Sequence, residues 1–134
     1  MSRIGKKPIP VPSGVKFNAD GRKVTLSGPK GSLSWELPPK IAAKLDGAQI
    51  VVTREGDEDR ERAMHGLSRA LLANMVHGVH AGYVEKLEVY GTGYTVKTQG
   101  KQLQLNVGFS GRGYNKPAQF IVDIPDGIKV DVEV

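Results

Sequence analysis

Only one segment of this chain has the period of a helix. From Asp57 to about Val79 it reads DEDRERAMHGLSRALLANMVHGV. Met64, Leu67, Leu71, Met75 and Val79 recur at helical spacing, and Ala63, Leu72 and Val76 widen the stripe. Asp57, Glu58, Asp59 and Glu61 crowd its start, where the positive end of the helix dipole stabilises carboxylates. Gly78 and Gly82 bracket its end, as C-caps do. Elsewhere the apolar residues alternate in short runs. Seventeen glycines and eight prolines cut those runs, so the chain reads as short strands and turns around one long helix.

The strands can be placed by their turns. KVTLSG (23–28) alternates and stops at GPKG (28–31). SLSWEL (32–37) then puts Leu33, Trp35 and Leu37 on one face, so the two runs predict a β-hairpin ended by Pro38-Pro39. Asp46-Gly47 is a turn before the strand AQIVVTR (48–54). After the helix, strand patterns resume over 85–109, with Leu87 and Val89, Tyr94 and Val96, then Leu103, Leu105 and Val107 sharing faces. Gly100-Lys101 is the hairpin turn within that stretch, and SGRGYNKP (110–117) is a loop. QFIVDIP (119–125) and GIKVDVEV (127–134) are two further strand candidates. PSGVKF (12–17) is echoed by PDGIKV (125–130), with Pro, Gly and Lys in register. Six residues are a weak signal of duplication, and chance is the competing explanation.

Several functions are disfavoured by what the residues are. The chain has no cysteine, which removes disulfides and thiolate zinc sites and fits a reducing cytosol. No run approaches the roughly 20 apolar residues of a membrane helix. The N-terminal MSRIGKKPIPVP has charge but no apolar core, so it is not read as a signal peptide. GTG (91–93) follows a strand pattern, but alternation continues through it to Val96. No helix opens there to hold a pyrophosphate, and no cofactor is expected. His77 and His80 lie three apart near the helix end, where solvation explains them better than a metal. No nucleophile motif occurs, and the acidic run 57–61 is accounted for by the helix dipole. The chain is not expected to be an enzyme.

The remaining signal is charge. Residues 1–40 carry eight Lys/Arg against Asp20 and Glu36, a surplus of +6, while 41–82 come to −1 and 83–134 to 0. Arg3, Lys6 and Lys7 sit on a Pro-broken, flexible-looking arm, and Lys30 at a hairpin tip. Lys101 lies at a second hairpin turn. Ser110, Arg112, Tyr114 and Lys116 belong to the Gly-rich loop. Cations on arms and tips can meet phosphates, and a loop tyrosine can stack on an exposed base. Each of them taken alone also reads as ordinary solvated surface. Together they fit structured RNA better than a DNA groove, because no helix-turn-helix is visible and the one helix starts acidic.

The segments MSRIGKKPI, GPKGSL, RALLANMVHGVHAGYVEKLEVYGTGY and QLQLNVGFS, in that order, resemble the bacterial large-subunit ribosomal protein six family. That resemblance implies an α+β fold of two duplicated small domains, each an antiparallel sheet packed by one helix. The expected division is 1–82, the basic arm plus a first sheet-and-helix domain, and 83–134, a second β domain. Members of that family continue with another strand, a helix and a basic tail, so the second domain is expected to be incomplete here. The resemblance also implies a non-enzymatic constituent of the large subunit that binds 23S rRNA near the base of the factor-binding stalk. Neighbouring ribosomal proteins, and translation GTPases nearby, would be its other partners, with no membrane and no DNA. The family's histidine and proline after GFS are replaced by Gly111-Arg112, so that histidine's contacts do not carry over. An alternative is a protein–protein scaffold at the stalk base with minor RNA binding, which the near-neutral second half would suit.

Overall fold

A computed structural model describes residues 3–108 and 118–133. The chain divides into two compact units, Met1–Val84 and Glu85–Val134. The first holds β1 (Ile9–Pro10), β2 (Lys16–Asp20), β3 (Lys23–Gly28), β4 (Gly31–Glu36), β5 (Ile41–Asp46), β6 (Gln49–Arg54) and α1 (Asp59–His80). The second holds β7 (Thr95–Gln99), β8 (Gln102–Asn106) and β9 (Phe120–Asp123). Among the described residues all pairings are antiparallel, in three sheets ordered β2-β3-β4, β1-β6-β5 and β7-β8-β9. This is the expected α+β class.

The anticipated hairpin is β3–β4, which pairs from Lys23↔Glu36 to Gly28↔Gly31 around Pro29-Lys30. Three strands were not anticipated: β1, β2 and β5. KFNAD and IAAKLD contain Asn, Asp and Ala, which have low strand propensity, yet all their residues pair with β3 and β6. Tertiary pairing outweighs propensity here. The two-residue β1 forms inside the supposed arm and pairs Ile9↔Ile50 on the edge of β6.

The helix begins close to where it was expected, with Glu58 as N-cap. Glu61, three residues on, accepts a hydrogen bond from the Glu58 backbone N–H at 3.1 Å, as half of a capping box does. It ends where Gly82 turns left-handed at φ +76°.

Its buried face differs from the expected stripe. The buried residues are Glu61, His65, Ser68, Leu72, Val76 and Val79. Leu72, Val76 and Val79 belong to the expected stripe, whereas its members Met64, Leu67, Leu71 and Met75 each lie one residue before a buried position, about 100° around the helix. Counting apolar letters missed the first turns of this face because they are polar side chains, two of them with partners off the helix. Glu61 meets Lys40, and His65 hydrogen-bonds the Val52 carbonyl at 2.8 Å. Below them Leu72, Val76 and Val79 complete a core with Ile9, Val15, Val24, Leu26, Leu37, Ile41, Ala43, Ile50 and Val52. Leu67 is left 46% exposed, and Leu71 and Met75 are half-buried on the flank.

In the second unit two strand expectations fail. EKLEVY (85–90) has no strand, and Val84, Leu87 and Tyr90 are each over four-fifths exposed. The described part of GIKVDVEV (127–133) forms none either. Alternation makes a strand only when a ladder partner is present, and these residues have none among the described ones. No described residue of 85–133 is buried. The sequence echo does recur as structure. Val15 N–H bonds the Pro12 carbonyl and Ile128 N–H bonds the Pro125 carbonyl, both at 3.2 Å. Gly14 and Gly127 occupy the same turn position at φ +94° and +90°, a region that favours glycine.

Candidate nucleic-acid interface

The three arm cations are exposed, but the segment carrying them is fastened down. The Lys7 N–H closes a turn on the Ile4 carbonyl at 3.2 Å. The Arg69 guanidinium donates to the Lys7 carbonyl at 3.1 Å and reaches the Pro8 carbonyl at 3.5 Å. Gly5 is buried against the ring of His65 so closely that a Cβ there would lie 2.5 Å from Nδ1. Two residues on from Lys7, Ile9 is 2% exposed in the core. The flexible-looking arm is therefore corrected to a docked one. Its ordering entropy is lost on folding and not on binding, which favours a preorganised contact.

His65 is the centre of this docking. Its Nε2 lies 2.8 Å from the Val52 carbonyl and its Nδ1 lies 3.2 Å from an Arg54 guanidinium nitrogen. A carbonyl needs a donor and a guanidinium an acceptor, so the ring donates at Nε2 and accepts at Nδ1. Arg54 in turn pairs with Asp57 and donates to the Gly56 carbonyl at 2.9 Å.

A second polar cluster ties the β4–β5 turn to the start of α1. The Glu61 carboxyl is held below the usual carboxylate range, first by its hydrogen bond with Lys40 and next by the Glu58 backbone N–H. The Lys40 ammonium is raised by the same partner. Lys40 sits at φ +64° as the third residue of a turn in which Ile41 N–H bonds the Pro38 carbonyl at 3.3 Å. That is the left-handed position of a type II turn, with Pro39 before it.

Lys30 lies exposed at the β3–β4 turn, and its backbone N–H donates to the Val79 carbonyl at 2.9 Å. Val79 lies about 21 Å along the helix axis from His65, at about 1.5 Å per residue. The arm that carries Arg3, Lys6 and Lys7 is thus fastened to α1 at His65 and Arg69, and Lys30 lies apart near the C-terminal end of the helix. Lys101, at the β7–β8 turn, is paired with Asp126 at 2.7 Å. Each of its hydrogen bonds to a phosphate would compete with that carboxylate, so it is the weakest of the described candidates. Ser110, Arg112, Tyr114 and Lys116 lie outside the described residues. GTG forms a turn in which Tyr94 N–H bonds the Gly91 carbonyl at 3.1 Å, and β7 follows it directly.

The family model described as ribosomal protein L6 matches residues 11–82, which is the first unit without its docked arm and β1. The chain belongs to the ribosomal protein L6 family. It is similar along nearly its whole length to proteins named large ribosomal subunit protein uL6. That of Caldicellulosiruptor saccharolyticus is 48% identical over 134 residues, covering 99% of this chain and 74% of the relative. That of Syntrophomonas wolfei is 48% identical, covering 98% and 70%. That of Microcystis aeruginosa is 47% identical, covering 99% and 67%.

Within this L6-family chain, sequence reading missed Arg69, which positions the arm, and Tyr83, which follows Gly82 at the helix end. The Tyr83 hydroxyl donates to the Asn74 carbonyl at 3.0 Å. Its ring centroid lies 4.8 Å from that of His77, tilted by 58°. The signal available for Tyr83 was an aromatic residue next to a helix-ending glycine. For Arg69 there was none, since its partners are about 60 residues away.

Proposed function

We propose that this chain is a structural constituent of the large ribosomal subunit that binds 23S rRNA and carries out no reaction of its own. It works in the cytoplasm as part of the ribosome, near the base of the factor-binding stalk, with translation GTPases docking nearby. The observation that carries this reading is the identity of 48% across 99% of the chain to a protein named as a large-subunit component. The docked Arg3, Lys6 and Lys7 supply the chemistry, because fixed cations neutralise phosphates without further loss of chain freedom. Ser110, Arg112, Tyr114 and Lys116 are proposed as further rRNA contacts by residue type alone, and Lys101 as another once Asp126 releases it.

The second unit favours protein neighbours as well. Phe120, Ile121 and Val122 are about half exposed on β9, and an apolar edge of this kind suits an adjoining ribosomal protein. The test is incorporation. A tagged chain expressed in bacteria should sediment with large subunits, and the variant Lys6→Glu/Lys7→Glu should do so less. A chain that stays at the top of the gradient, or a double variant that incorporates fully, would overturn the assignment of function or of the arm respectively.

A further inference from the structure

The offset of the helix face leaves an open groove in the first unit. It runs between the β3–β4 turn and the C-terminal half of α1, with a volume of about 360 Å³. Leu33, Leu71 and Met75 form apolar walls, Lys30 stands at its rim, and Tyr83 and Asn74 close its side. Tyr83 is 66% exposed, yet its ring is already fixed by the hydroxyl bond to the Asn74 carbonyl and by His77. Gly78 beneath it leaves the ring close to the helix, since a Cβ there would touch the ring at 3.4 Å. No acidic residue lines the groove, and Lys30 forms no ion pair among the described residues.

We infer that this groove binds one unpaired nucleotide of RNA, with its base stacked on Tyr83 and a phosphate at Lys30. The inference rests on the rRNA-binding reading above and adds a site to it. An aromatic face that is already oriented loses little freedom when a base stacks on it, and stacking tolerates any base. The rim cation and the lack of carboxylates match a polyanion, and the exposed Asn74 side chain offers both a donor and an acceptor to a base edge. A wholly apolar peptide would use the walls and leave Lys30 and Asn74 without a role.

The experiment measures binding of the full chain to transcribed large-subunit rRNA between 50 and 200 mM salt, for wild type, Tyr83→Leu, Tyr83→Phe and Lys30→Gln. Tyr83→Leu should weaken binding roughly 5- to 150-fold with an unchanged salt slope, the range for loss of one stacked base. Tyr83→Phe, which keeps the stacking face and loses only the hydroxyl tether, should fall between wild type and Tyr83→Leu. Lys30→Gln should reduce the salt slope by about one. Urea midpoints should stay close to that of wild type, because Tyr83 and Lys30 are exposed. Wild-type affinity in Tyr83→Leu would overturn the site, and so would a loss in Tyr83→Phe as large as that in Tyr83→Leu, or one that tracks a lowered urea midpoint. Loss of a neighbouring protein's binding with RNA affinity intact would overturn it in favour of a peptide groove. Absence of RNA binding by the wild type would instead overturn the rRNA reading itself.

Discussion

Replacing Gly5 with alanine tests the docking of the arm. The added Cβ would lie 2.5 Å from His65 Nδ1 and 2.7 Å from both Cε1 and Cγ. Contact needs roughly 1 Å more than that. His65 is 4% exposed and bonded at both nitrogens, so it can retreat only by releasing the buried Val52 carbonyl. An unsatisfied buried acceptor costs about 1–3 kcal/mol, and overpacking costs a similar amount. The other escape is for the arm to lift, which breaks the Arg69 bond to Lys7 and withdraws Ile9 from the core. Either way about 2 kcal/mol should be lost, which lowers Tm on the order of 10 °C for a unit of this size. Trp35, the sole tryptophan, is half-buried against the core and reports urea unfolding of this unit. The decisive measurement is a double-mutant cycle with His65→Ala, which removes the ring that collides. Gly5→Ala should cost clearly less in that background. A cost below about 0.5 kcal/mol in the wild-type background, or the same cost in both, would refute the close-approach argument.

Other outcomes follow from single contacts. Ser68 is fully buried and its hydroxyl has no hydrogen-bond partner among the described residues, so Ser68→Ala should raise stability by about 1 kcal/mol in urea titration; a loss of stability would mean the hydroxyl is satisfied. The Glu61 carboxyl is lowered by Lys40 and the Glu58 N–H, so its contribution is present above the usual carboxylate pKa of about 4.3 and is lost as pH falls through its lowered value. The gap in urea midpoint between wild type and Glu61→Gln should therefore be full at pH 7 and close in acid; a gap constant from neutral to acid would remove the ion pair from the account. Residues 83–134 expressed alone should show no cooperative unfolding, since none of those described is buried; a monomeric species with a sigmoidal melt would contradict this.

What the sequence revealed depended on how local the determinant was. The limits of α1 were readable because Glu58, Glu61 and Gly82 act within one turn of where they stand. The β3–β4 hairpin was readable because its alternation and its turn are adjacent in sequence. β5 was not, because Ala42 and Ala43 favour a strand only once β6 lies beside them. The C-terminal half of the helix face was readable in Leu72, Val76 and Val79, but its first turns were misread because burial of Glu61 and His65 depends on Lys40 and Val52, neither of them on the helix. Arg3, Lys6, Lys7 and Lys30 were singled out by charge and position, but nothing local showed that the arm is held by Arg69 and His65. EKLEVY shows the converse, a strand pattern with no described partner to complete it.

The central claim is that docked cations hold this chain on ribosomal RNA. The most direct test is the salt dependence of its affinity for large-subunit rRNA. If Arg3, Lys6, Lys7 and Lys30 each meet one phosphate, as proposed, the slope of log affinity against log salt is about −3 to −3.6. Affinity should fall about 50- to 150-fold between 50 and 200 mM salt, or further if the 110–117 loop also engages. An affinity that hardly changes over that range would contradict the account.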